Sequence, residues 1–524
     1  MRATRLLTPG LALVLGCAAP PLVAQTVERA DTPKSGVLRL TFDPRIVTWD
    51  EAFTPTGLAS LGAPLTGDTV GAAHIPLVAQ MQQDVRAASG LPNWIANLGA
   101  GLLSVYQEKR ITPIGAELGI TDRLSLAVTL PIVRVATRSA FQLSQTNANL
   151  GANPLVTSSA ALQQYASFFG HFATALTQLK DSVANGSYGC PGSPMCTQAQ
   201  ALLAQGLSLE TTLERLIYGG GSVANPFLPI AASLAGQQID TTVAHLEQQL
   251  QGTYHVPGFT DTLLLAADTL AAPVGFDTFL QGAVGANGAV FGFGYNPLRN
   301  TYRYGLGDVT VEAKYRVVRN SVYALALGVV AQLPTGTRDS TLELIGAPIA
   351  DHVFGLEGRV LQELTLARRI WLNIAVRAGM ERPGTQARRV APFDAFLVPY
   401  EATTELAWTP GNYIALDCAP LYRLTPEFAA GFTVGYYSKA ADHYSYQTAA
   451  DSTTLATTLG VPIPAAVLDQ GTSERWVRLG AAITYVGPVL EGGFTVERTV
   501  SGAGAQVPAA TVFRLVLRLS RKLS

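Results

Sequence analysis

Apolar and polar positions alternate in long runs through much of the chain. Residues 305–318, GLGDVTVEAKYRVV, set Asp308, Thr310, Glu312, Lys314 and Arg316 against Val309, Val311, Ala313, Tyr315 and Val317. Successive side chains on a strand point to opposite sides, so this alternation predicts a strand with one apolar and one polar face. The pattern returns at 322–333 with Tyr323, Leu325, Leu327 and Val329, and at 353–366 with Phe354, Leu356, Val360, Leu364 and Leu366 against Glu357, Arg359 and Glu363. It recurs at 475–485 (Val477, Leu479, Ala481, Ile483, Tyr485), at 490–497 (Leu490, Phe494, Val496 against Glu491, Thr495, Glu497), and at the end with Phe513, Leu515, Leu517 and Leu519 against Arg514 and Arg518.

Alternation alone fits either a soluble sandwich or a membrane barrel. Strand length decides between them: runs of ~10 residues or more exceed the usual globular strand and match a tilted bilayer crossing. The connections also alternate between short and long, as outer-membrane barrels require. Strands are expected at 36–43 (extending past Pro44 toward Phe53), 106–119, 124–136, 305–318, 322–333, 353–367, 370–380, 413–423, 428–439, 473–486, 489–499 and 509–519. Residues 398–408 also look like a strand, but counting them would put the long loop 440–472 on the periplasmic side. They are therefore read as a hairpin extension above the membrane. The expected fold is an all-β transmembrane barrel of about 12 antiparallel strands, with a large α-helical insertion on its extracellular or lumenal side.

Parity then assigns the faces. Val309, Val311, Ala313, Tyr315 and Val317 are expected to face lipid. The lumen should receive Glu117, Glu312, Lys314, Arg316, Glu357, Arg359, Glu363, Arg377, Asp417, Arg423, Arg478, Glu491, Glu497, Arg514 and Arg518. Their signs are mixed, so acids and bases on neighbouring strands should pair across the lumen instead of presenting a field of one sign. Tyr315, Tyr323, Tyr422 and Tyr485 lie near the short turns, and Tyr302, Tyr304, Tyr436 and Tyr437 near the opposite ends, which reads as two interfacial girdles.

Residues 137–303 have a different texture. Leu162, Tyr165, Phe169, Phe172, Leu176, Leu179 and Val183 recur at helical spacing, and 197–217 and 229–250 continue it. Such apolar stripes must pack on something, either on each other as a cap above the rim or in the barrel mouth as a plug. Residues 77–89 read as a further short helix. Between the first two helices Cys190 and Cys196 close a small loop and are expected to form a disulfide, as suits an exported protein. A metal there is not expected, because no His or further Cys stands close enough to complete a ligand set.

Composition narrows the compartment. Of 524 residues only 14% are charged, well under the roughly 25% of soluble domains, and the net charge of -1 offers nucleic acid no basic stripe. After the N-terminus no run approaches the ~20 apolar residues of a spanning helix. The start, MRATRLL followed by an apolar stretch and LVAQ, reads as a secretory signal over 1–24 with Gln25 first in the mature chain; lipidation at Cys17 is the alternative cleavage. The organisation expected is 1–24 signal peptide, 25–136 first strands with an early long loop, 137–303 helical insertion, and 304–524 remaining strands. The setting is the outer membrane of a Gram-negative-type bacterium, with its lipids as partners.

Two motifs carry a resemblance. Gly119, Thr121, Asp122, Arg123 and Leu124, followed by Gly305, Gly307, Asp308, Lys314, Tyr315 and Arg316, resemble the hairpin turn and the following strand of the outer-membrane channel family named for the meta-cleavage pathway of phenol degradation. The resemblance covers the strand regions and implies a barrel that takes up hydrophobic or aromatic compounds. The function expected is passive uptake of small molecules, with no cofactor. The alternatives are a structural or adhesive barrel and, third, a membrane hydrolase. His74, His171, His245, His255, His352 and His443 are scattered and form no Ser/His or His/Asp pattern in sequence, so no catalytic residue is named.

Overall fold

The computed structural model describes residues 28–523 except 74, 157, 220–222, 258–260, 271, 285–289, 339, 368, 392–394, 460–461, 488 and 506. The signal segment, Cys17 and Gln25 lie outside the described residues.

A closed, up-and-down barrel of 12 antiparallel strands carries the fold. Its strands are β1 (Val37–Phe42 and Arg45–Trp49), β2 (Ala100–Gly119), β3 (Leu124–Ser144), β4 (Thr301–Leu306 and Thr310–Arg319), β5 (Tyr323–Gln332) and β6 (Gly355–Ala367). The wall continues with β7 (Ile370–Glu381), β8 (Tyr413–Arg423), β9 (Phe428–Lys439), β10 (Glu474–Val486), β11 (Leu490–Ala503) and β12 (Thr511–Lys522). Each pairs with the next, and β12 closes onto β1 from Val37↔Lys522 to Phe42↔Leu517. Closure leaves no free sheet edge, as hydrocarbon demands.

The outer face is apolar. On β3, Leu126, Val128, Leu130 and Ile132 all point outward and are exposed. Phe428, Phe432, Val434, Ile483, Phe494, Phe513 and Leu515 continue this band around the barrel. Short turns and the described N-terminus lie at one end and long loops at the other, which orients the barrel with its turns in the periplasm.

Four neighbouring strands share a seam at one height, where β1 and β4 are interrupted and the continuous β2 and β3 each carry a proline. Asp43 and Pro44 break β1; the Asp43 amide donates to the Pro113 carbonyl on β2 at 3.1 Å. Pro113 sits opposite Pro131 of β3, whose carbonyl accepts from Gly307 at 2.8 Å in the break of β4. A proline lacks the ladder donor, so each break is placed where a bond was already missing. This corrects the sequence expectation of one continuous strand over 305–318: Val309 lies in the gap, not on a strand. Asp308 is buried there and accepts from the amides of Gly336 and His352 at 2.8 and 3.0 Å, fastening the loop that follows β5.

β2 and β3 run past the seam, and β3 continues to Ser144, eight residues beyond the expected end at 136. Their upper ends carry the insertion. Helices α1 (Pro76–Ser89), α2 (Ser159–Ala184), α3 (Pro194–Thr211), α4 (Leu234–Gly252) and α5 (Ala272–Gln281) share one core with Leu103, Val105, Phe141 and Leu143 of the two strands. Ser158, Ser193 and Ser233 cap α2, α3 and α4 through their hydroxyls, each satisfying an amide that the first turn leaves orphaned. The Cys190–Cys196 disulfide joins the α2–α3 connection.

A second extracellular unit is a three-stranded sheet of Gly384–Arg389, Thr403–Thr409 and His443–Tyr446 with α6 (Ala449–Leu459) over it. Residues 398–408, read as an extension above the membrane, contribute to this sheet and not to the barrel. Arg389 ties the units together, donating to the carbonyls of Phe293, Gly294, Val398 and Thr341 while its guanidinium lies 3.5 Å from the Tyr295 ring centroid.

Candidate functional site in the barrel lumen

The lumen is filled in levels from the periplasmic end upward. Residues 28–35 lead into β1 across the interior. Arg29 is buried and bridges Glu363 of β6 at 3.4 Å and Glu491 of β11 at 3.0 Å, two strands on nearly opposite walls. The Ala30 amide donates to the same Glu363 carboxylate at 3.0 Å, and its methyl packs among Ala324, Ala326, Leu361 and Ala375. Asp31 receives Arg29 and also Arg39 of β1, at 3.2 and 2.8 Å. Ser35 and Thr32 anchor the segment to Asp122 in the first periplasmic turn. Small residues on the facing walls make this possible, since a larger side chain at 324, 326 or 375 would take the space Ala30 fills.

Glu117 of β2 stands at the centre of this level. It accepts from Arg39 at 3.2 Å, from Lys314 of β4 at 3.1 Å and from the Ser125 hydroxyl at 2.6 Å. At mid-height Arg359 meets Glu28 at 3.0 Å and Glu312 at 3.3 Å and also pairs with Glu357. Arg377 pairs with Asp417, and Arg478 with Glu497 at 3.7 Å. Opposite, Asp43 takes a two-pronged contact from Arg514, at 2.7 and 2.8 Å, and one from Arg45. Breaking a single member of such a buried network leaves an uncompensated charge, which is costlier than the pair is favourable.

Thus Glu117, Glu312, Lys314, Glu357, Arg359, Glu363, Arg377, Asp417, Arg478, Glu491, Glu497 and Arg514 meet in one lattice. Arg518 has Glu491 as its cross-strand partner. Two of the arginines expected inside sit at the periplasmic rim instead: Arg316 donates to the Asp122 carbonyl, and Arg423 stacks 4.1 Å from the Trp371 ring centroid.

Above the lattice the lumen turns aromatic. Tyr413, Tyr437 and Trp476, on the adjacent strands β8, β9 and β10, stack face to face with centroid separations of 5.7 and 5.1 Å and interplanar angles of 29° and 14°. The Tyr413 hydroxyl donates to Glu357 at 2.6 Å, joining ladder to lattice. Its ring occupies the space beside Gly379, where any Cβ would come within 2.4 Å of it. A small cleft opens here, lined by Thr310, Gln332, Glu357, Arg359, Glu381 and Tyr413. Tyr437 was expected in the outer girdle; it is inside because Tyr436 beside it, 36% exposed, already points outward.

The residues missed by sequence reasoning are Glu28, Arg29, Asp31, Arg39, Asp43 and Arg45. Arg39 was legible by parity, flanked by the outward Leu40 and by Leu38. The segment 28–35 has neither period nor motif to place it.

Residues 232–461 match the family described as "Putative MetA-pathway of phenol degradation". Over that stretch, somewhat under half of the chain, the sequence is similar to this family. The matched stretch carries the interrupted strand β4, the lattice residues from Glu312 to Asp417, and Tyr413 and Tyr437 of the ladder. No curated protein matches the chain in sequence. Among solved structures it is similar to an outer membrane channel from Pseudomonas putida F1, at 7% identity and a TM-score of 0.41 over 94% of this chain and 97% of that one. It is also similar to the Ralstonia pickettii toluene transporter TbuX, at 8% identity and a TM-score of 0.27 over 95% and 91%. For a TodX mutant monoaromatic hydrocarbon channel the figures are 9%, 0.26, 94% and 91%.

Proposed function

We propose that the protein is a passive outer-membrane channel for small hydrophobic or aromatic molecules, entered from the extracellular side and closed toward the periplasm by its own residues 28–35. The observation that carries this reading is the order of surfaces along the lumen: a ladder of flat rings and a small cleft at the top, paired charges below, and a chain segment spanning the floor. Flat rings offer stacking to planar solutes without demanding a charge. The charges are mixed in sign and mutually paired, so they set up no field that would draw ions of one sign through the barrel. Residues 137–303 form the cap over the entrance in this account.

Planar-bilayer conductance tests it. The intact protein, a version lacking 28–35 and a version with 140–300 replaced by a short linker are compared. Opening on removal of 28–35 alone is the expected result. Opening only when 140–300 is removed would make the insertion the plug and the segment a structural strut. Silence of all three with the barrel folded would favour a structural or adhesive barrel.

A further inference from the structure

Just above the apolar band, the outer face of the wall becomes cationic. On β3 the outward row Leu126, Val128, Leu130 and Ile132 is followed by Arg134 and Arg138. The Arg134 guanidinium lies 5.2 and 5.4 Å from the ring centroids of Tyr302 and Tyr304 on β4, and that of Arg138 lies 5.6 Å from Tyr106 on β2. Arg110 of β2 is the direct cross-strand partner of Arg134.

Two like charges placed opposite one another repel, and the register allows neither to move away. Among the described residues Glu108, against Arg110 at 2.5 Å, is the one carboxylate in salt-bridge reach of the three arginines. Arg134 Nε is buried with no acceptor. The rings lie beside the guanidinium groups but neutralise nothing, at the level where the exposed apolar row of β3 ends. A planar fork fits two phosphate oxygens at once, which distinguishes this patch from a girdle of lysines that merely reach for water. The patch lies toward the long loops, hence at the outer leaflet.

We propose that Arg110, Arg134 and Arg138, framed by Tyr106, Tyr302 and Tyr304, bind the phosphate of an anionic glycolipid of the outer leaflet. Its acyl chains lie along Ile132, Leu130 and Val128. The lipid supplies the counter-charge that the wall omits and anchors the barrel where the cap's supporting strands leave the bilayer.

Native mass spectrometry of the full-length protein in detergent tests this with three probes: bisphosphorylated lipid A, the same lipid with its phosphates removed, and inorganic phosphate. The expected result is binding of the phosphorylated lipid about tenfold or more tighter than its dephosphorylated form, and loss of that difference in the Arg134→Gln, Arg138→Gln double variant. Heat-modifiable gel migration reports whether that variant is folded. Equal affinity of the intact protein for the two lipids overturns the proposal even if the variant fails to fold. A folded variant that keeps the preference also overturns it. Displacement of the lipid by inorganic phosphate at matched concentration overturns it as well, since the patch would then be a free-anion site.

Discussion

The barrel and its cap have opposite interiors. The barrel is filled with paired charges: Glu117 with Arg39 and Lys314, Arg359 with Glu28 and Glu312. The cap is filled with rings and leucines, among them Phe168, Phe172, Phe227, Phe276 and Leu246, all essentially unexposed. Both solve one problem under different solvents. Lipid receives the apolar faces of the barrel strands, so the inward faces are left to polar residues that must satisfy each other. The cap, which the proposed function places in water, has to bury its own apolar faces, and its core is built over the ends of two long strands.

Substitutions at matched depth put that contrast at risk. Phe172→Ala empties a fully buried site in the cap and is expected to cost about 3–5 kcal/mol of cap stability, read by denaturant titration, with the barrel's heat-modifiable migration unchanged. If the barrel unfolds with it, the two interiors are one cooperative unit. Leu130→Arg, on the lipid face of β3, is expected to destabilise the barrel by about 2–4 kcal/mol near the bilayer midplane in refolding titrations. A result near zero would mean that this face is not in lipid.

Arg29→Met removes the cation that bridges Glu363 and Glu491. It is expected to produce intermittent conductance in planar bilayers while the barrel stays folded, because the segment 28–35 loses its hold on opposite walls; a silent, folded variant would show that the remaining contacts to Asp122 suffice.

The smallest effect expected is a pH dependence confined to the cap. Burial, with Asp240 and then Asp261 nearby, pushes Glu247 of α4 up to about 7, and its Oε1 is buried without a hydrogen-bond partner among the described residues. A carboxyl raised in the folded state holds its proton there while the unfolded chain has lost it. Cap stability should therefore fall as pH rises from the ordinary carboxylate range through about 7, and level off above. Hydrogen exchange of α4 amides, corrected for the intrinsic rate, measures this. Glu247→Gln should flatten the dependence and raise protection at neutral pH.

Period-2 alternation was enough to find the strands, and loop length was enough to keep 403–409 out of the barrel, because a misplaced strand would have sent loop 440–472 to the wrong side. Parity also singled out Glu117, Lys314 and Arg359. It failed at Tyr437, where two adjacent tyrosines could not share a face, and at Asp308, whose alternation with its neighbours hides a break. Helices α5 and α6 were not expected, since each is short and its apolar residues lie in runs that carry no clear period.

By itself the sequence determined the barrel: a side-chain period of two, repeated over bilayer-length strands, leaves the chain few other ways to satisfy its backbone in lipid. Which charges meet across the lumen, and that Glu28 to Ser35 crosses its floor, was decided only by tertiary structure. Pairing across a closed cylinder depends on how twelve strands are staggered, and contacts such as Arg29 to Glu491 join residues far apart in the chain. No local pattern encodes such a distance; the closing of the wall does.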